Sequence, residues 1–187
     1  MMAFFIQPKA QTYCSTSYTK GTGSGDFISL VQILSTTLNS SSLGAASHYF
    51  TLFPALGSTT ATLNRGNTTQ YTLKVAGGTT SSCYIAAWGD WNHNGIFESN
   101  EFIGVSTNAG NSTTVTFTNG ISVPVAAVIG TTRIRFRSSP SNPGPWYGES
   151  CNATNSGFGE TEDYIVTIAG KISNDPSAVI MGDIIPP

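Results

Sequence analysis

Asp90, Asn92, Asn94, Glu98 and Glu101 put oxygen-bearing side chains at positions 1, 3, 5, 9 and 12 of one short stretch. Gly95 occupies position 6, and Ile96 offers its carbonyl at position 7. That is the spacing of a twelve-residue calcium loop, in which alternate residues of a tight turn converge to give a hard cation its oxygens and a glycine permits the sharp bend. The flanks are strand-like rather than helical. Two Asn stand where Asp is usual, which lowers the site's charge, so the expected Ca²⁺ site is structural and of weak to moderate affinity. The same residues also suit a polar Asn-Gly hairpin with no ion. Alternation places His93 away from the site, towards solvent.

Three further carboxylates, Glu160, Glu162 and Asp163, stand together before a strand. A carboxylate pair can hydrolyse a glycoside when it flanks a cleft from opposite sides. These three are near neighbours on one chain, so a structural role is expected: completing the calcium shell, or pairing with Arg133, Arg135 or Arg137. With only His48 and His93 in the chain and no cofactor loop, no catalytic constellation is expected, and the chain is not read as an enzyme. Trp146 and Tyr147, in a stretch rich in Ser, Pro, Asn and Gly, form a candidate contact surface for a glycan or a neighbour, with Trp91 as a third aromatic.

The elements that carry these residues have period two throughout. Gln70–Val75, Thr113–Thr118, Thr132–Arg137 and Asp163–Ile168 alternate apolar with polar residues, as half-buried strands do. His48–Phe53, Tyr84–Trp88 and the stretch 26–34 read as further strands. Asn119-Gly120 reads as a hairpin turn. The three arginines are expected to face water, opposite Ile134 and Phe136, and Ser138 to Gly159 is expected to be a long surface loop. Many short strands separated by turn residues predict an all-β fold, a β-sandwich of jelly-roll type.

Composition agrees. The 187 residues are 10% charged and 39% hydrophobic, with 20 Gly and 9 Pro, and Ser and Thr together number 48. The net charge of −2 leaves no basic face for a nucleic acid. No apolar run reaches the length of a membrane helix. Of three cysteines, Cys83 lies in an apolar strand while Cys14 and Cys151 lie in polar, turn-rich stretches. The reading pairs Cys14 with Cys151; three free thiols is the alternative. Hydroxyl-rich composition and a disulfide together indicate a secreted or cell-surface protein.

Residues 1–12 form an N-terminal arm, either the remnant of a secretory signal or an ordered strand. Residues 13–170 form the sandwich. Residues 171–187 comprise a linker and an apolar, strand-like segment containing Ala178, Val179, Ile180, Met181, Ile184 and Ile185.

The order of short motifs resembles the GEVED domain of bacterial secreted and cell-surface proteins. The matching pieces are Tyr13-Cys14, 25–29, Tyr71–Val75, Trp88–Gly95, Gly130–Arg135, Cys151 and Gly159–Tyr164, spanning about residues 13 to 169. Thr161 replaces the family's Val, and Asn94 replaces its usual Asp. The resemblance implies a β-sandwich module without catalysis of its own. It supports calcium at Asp90 to Glu101 and the Cys14–Cys151 pairing. Such modules are usually parts of larger proteins, and here two short apolar ends flank the module. The expectation is therefore an extracellular subunit that joins copies of itself head to tail into a filament. The C-terminal strand would add to a neighbour's sheet, with Met2 to Ile6 as the rival donor. The alternative is a secreted adhesive or carbohydrate-binding module.

Overall fold

The computed structural model of the chain describes residues 12–15, 18–23, 27–41, 50–76, 83–105, 114–140, 149–151 and 157–171. Trp146, Tyr147, the N-terminal arm to residue 11 and the segment from Ala178 to Ile185 lie outside the described residues.

Among the described residues ten strands run in chain order: β1 (Phe27–Ile33), β2 (Asn39–Ser40), β3 (Phe50–Phe53), β4 (Thr62–Asn64), β5 (Thr68–Ala76), β6 (Tyr84–Gly89), β7 (Phe102–Val105), β8 (Thr114–Ser122), β9 (Gly130–Ser139) and β10 (Thr161–Ala169). The only helical pieces among the described residues are two 3₁₀ turns, Gly57–Thr59 and Ser99–Glu101. No described helix is long and apolar enough to cross a membrane.

The strands form two sheets. One has the order β2-β1-β5-β8. The other has the order β3-β10-β9-β6-β7, with β4 also lying beside β10. Most neighbours are antiparallel, but β3 and β4 both run parallel to β10, β3 along Thr161 to Tyr164 and β4 along Thr167 to Ala169.

Alternation decides what each sheet buries. Ile28, Val31 and Ile33 of β1, Tyr71 and Leu73 of β5 and Ile121 of β8 turn inward from the first sheet. Ile85 and Ala87 of β6, Ile134 and Phe136 of β9, and Tyr164, Val166 and Ile168 of β10 turn inward from the second. They form one core between the layers, the defining feature of a β-sandwich. Each fully buried side chain of this size stabilises the fold by about 1.5–3 kcal/mol.

The second sheet is also covered on its outer face, where Ala86, Trp88 and Phe97 pack with Tyr13, Tyr84 and Phe102. That second layer corrects the expectation for the arginines. Arg135 and Arg137 point away from the core but are fully buried, and Arg133 is only partly exposed. The cover is made by Tyr13, Cys14, Tyr18, Phe97 and the segment 149–151.

Two other expectations also change. Asn119-Gly120 is not a hairpin: β8 runs straight through it, with Asn119 opposite Tyr71 and Gly120 opposite Gln70. Of the stretch expected as a surface loop, Ser138 and Ser139 belong to β9, and Ser138, Ser139, Ser150, Gly157 and Gly159 are buried.

Candidate functional site

The loop from Asp90 to Glu101 hangs between β6 and β7, and its own side chains fold it. Asp90 is fully buried. Its Oδ1 accepts the Asn94 amide at 3.1 Å, and its Oδ2 accepts the Gly95 amide at 3.0 Å. Asn92 Oδ1 accepts the Asn94 amide and Asn94 Oδ1 accepts the Ile96 amide. Short side-chain acceptors bonding an amide two residues on are what Asn and Asp do in turns. Gly95 sits at φ +83°, the left-handed region that favours glycine. Glu98 Oε2 accepts the Asn92 side-chain amide at 2.8 Å.

Glu101 closes the loop from the far end. Its Oε1 accepts the amides of Trp91 and Asn92, and its Oε2 accepts the Glu98 amide. Burial pushes its carboxyl up from the usual range, opposed by its amide bonds. Tyr13 donates its hydroxyl to Asp90 Oδ2 at 2.6 Å. Burial, then this bond, pushes the Tyr13 phenol well up.

Asp90, Asn92, Asn94, Glu98 and Glu101 are thus gathered in one loop, with their oxygens engaged mainly by its own N–H groups. Ile96 is 57% exposed. Among the described residues no three His, Cys, Asp or Glu side chains converge as a metal cluster. The donors nevertheless fit calcium in kind: all are oxygens, and each carboxylate oxygen has a second lone pair. Asp90 and Glu101 are both buried, and neither forms an ion pair among the described residues. A cation would neutralise that uncompensated charge.

His93 is not the solvent-facing residue expected. It adopts φ +60°, is partly buried, and its Nε2 is enclosed without a hydrogen bond among the described residues. Desolvation lowers its pKa, against the pull of Asp90. Trp91 is 6% exposed and belongs to the core, which removes it as an aromatic contact. A hollow of about 160 Å³ lies beside it, lined in part by Asn92, Asn100 and Glu101. It is smaller than the roughly 300–1,000 Å³ of ordinary ligand pockets.

Arg135 links the loop to the carboxylate motif. Its Nε and Nη2 grip Asp163 Oδ1 and Oδ2 at 2.7 and 2.8 Å, the fork geometry that makes arginine suited to carboxylates. Nη2 also donates to the Cys14 carbonyl and Nη1 to the Ser150 carbonyl. Its guanidinium lies 4.7 Å from the ring centre of Phe97, inside the loop. Cys14 and Cys151 are joined in a disulfide directly beside it, with Cα atoms 5.8 Å apart, and Cys83 is buried and takes no part in it. Sequence reasoning gave Arg135 to solvent. Its alternation with Ile134 and Phe136 could not show that a second layer covers the outer face.

The carboxylate motif divides its residues between the two faces. Asp163 turns outward to Arg135 and, at 3.3 Å, Arg133. Thr161 turns the same way and accepts from Arg137 Nε at 3.2 Å. Glu162 turns inward and accepts the Tyr164 hydroxyl at 2.9 Å. Glu160 accepts the Ile28 amide, tying β10 to the start of β1 in the other sheet. Burial, then the charge of Glu162, raises its carboxyl to about 8. Gly159 stands at φ +119°, where an added Cβ would meet the Ser138 carbonyl at 2.2 Å. The residues thus serve the sandwich rather than a cleft.

Residues 84–167 match the family model of the GEVED domain. The matched span holds the loop, the arginines and the carboxylate motif; the similar pieces between residues 13 and 75 lie before it. No curated protein matches the chain.

Proposed function

We propose, taking the GEVED-domain match over residues 84–167 as the premise, that the chain is an extracellular structural subunit. It assembles with copies of itself into a head-to-tail filament by adding its C-terminal strand to a neighbour's sheet. The disulfide supports an oxidising, extracellular setting. On this reading the sandwich is of jelly-roll type and carries no catalysis, because its buried charges are engaged in holding layers together.

One observation carries the reading. β10 already has β9 on one side and β3 and β4 on the other, so its own sheet offers no place beside it. The chain then leaves at exposed Lys171, followed by an apolar segment containing Ala178, Val179, Ile180, Met181, Ile184 and Ile185. A β-prone segment needs another sheet edge for its backbone groups. Strand addition supplies main-chain bonds and side-chain pockets, and a contact that does not close on itself makes an open fibre.

The loop at Asp90 to Glu101 takes a structural Ca²⁺ in this reading. Asp90, Asn92, Asn94, Glu98, Glu101 and the Ile96 carbonyl are its donors, and the ion neutralises two buried carboxylates. Light scattering of the purified chain over a concentration series tests the assembly. Growth into long particles is expected; a constant monomer mass at all concentrations would overturn it.

A further inference from the structure

The free edge of β8 combines features that natural edge strands usually avoid. β8 is nine residues long and ends its sheet, pairing with β5 alone among the described residues. The pairing runs from Thr68↔Ser122 to Ala76↔Thr114 without a register shift. Exposed edges are normally kept short, bulged, or guarded by charges and proline, because unpaired N–H and C=O groups recruit other strands. Thr114–Ser122 contains no Lys, Arg, Asp, Glu or Pro, and β-favouring Thr, Val, Phe and Ile make up six of its nine residues. The other terminal strands are poorer acceptors: β2 has two residues, β7 four, and β3 and β4 four and three.

The exit of the chain at Lys171 is close to the C-terminal end of β8. A Cβ built on Gly66 would lie 3.0 Å from Val125 Cγ1 and 3.9 Å from Lys171 Cδ. The Gly66 amide donates to the Val123 carbonyl, immediately after β8. The last described residue, Lys171, therefore lies at the end of the sandwich where β8 finishes. Residues 171–177 span roughly 20 Å when extended, enough to cross to an adjoining molecule. The eight residues 178–185 match the nine of β8 in length.

We infer that the outer edge of β8 is the acceptor for the Ala178–Ile185 segment of a neighbouring copy. This rests on the assembly reading above and names the surface it uses. Successive residues of a strand turn their N–H groups to opposite sides. One half of the β8 amides therefore bonds to β5, and the other half awaits the added strand.

Hydrogen exchange on the full chain, resolved to single amides, tests this. In assembled protein, amides of both alternations along 114–122 exchange slowly. In full-length protein carrying Ile180→Pro and Met181→Pro, which removes donors from the added strand, every second β8 amide speeds up by at least 100-fold while the β5-bonded amides stay slow. If the wild-type chain assembles and the outward β8 amides exchange as fast as in the variant, the acceptor is elsewhere and this inference falls while the filament reading stands. If the wild-type chain does not assemble, both fall.

Discussion

Replacing Glu160 by Gln should remove the pH dependence of part of the chain's stability. Glu160 is 4% exposed and faces Glu162, which is 2% exposed. Burial first, and the Glu162 charge second, raise its carboxyl from 4.5 to about 8, against the bond from the Ile28 amide. The folded chain thus keeps a proton that the unfolded chain has released. A pKa raised on folding contributes stability that is fully present below about pH 4.5 and is lost as pH rises through 8. At about 1.4 kcal/mol per pH unit, the gap amounts to about 5 kcal/mol. Coupling to Glu162 spreads the loss over more than one titration step. Gln keeps an oxygen for the Ile28 amide and never ionises. In urea unfolding between pH 4.5 and 8.5, the stability of Glu160→Gln relative to the parent should climb by several kcal/mol. Parallel profiles across that window would refute the buried, proton-holding role of Glu160.

Four further outcomes follow from the same contacts. Asp163→Asn leaves the buried Arg135 guanidinium without its counter-charge and should cost about 3–5 kcal/mol in chemical denaturation. Removing the disulfide with Cys14→Ala and Cys151→Ala, which opens a separation of 137 residues, should cost about 4–5 kcal/mol by the same measurement. Excess Ca²⁺ should raise the melting temperature and EDTA should lower it, by an amount equivalent to about 2.7 kcal/mol at a hundredfold excess over Kd. Asp90→Ala should abolish that difference, whereas identical curves for the parent with and without EDTA would remove the ion from the account.

The long strands were legible because their alternation survives in the fold: Gln70–Val75 lies in β5, Thr132–Arg137 in β9 and Asp163–Ile168 in β10. The stretch 26–34 holds β1, as its β-branched residues indicate. What alternation could not reveal was a second covering layer. It assigned Arg135 and Arg137 to water because polar residues opposite Ile134 and Phe136 normally face solvent. Here aromatic rings, carbonyls and Asp163 replace that solvent. Local signals also yielded to long-range pairing. Asn119-Gly120 is a good turn dipeptide, but nine consecutive partners on β5 hold it straight. The parallel placement of β3 and β4 beside β10 had no sequence signal, since each is four residues or fewer and its partner lies about a hundred residues away. In the candidate site, the spacing of Asp90, Asn92 and Asn94 was read as calcium ligation. The structure shows a further use for that spacing, because the same oxygens cap the loop's own amides.

Electron microscopy of the purified full-length chain beside a chain lacking residues 172–187, at matched concentrations, tests the central claim most directly. Filaments of uniform width from the full chain, and only single particles from the truncated one, are the predicted result. Filaments from both, or single particles from both, would contradict assembly by the C-terminal strand.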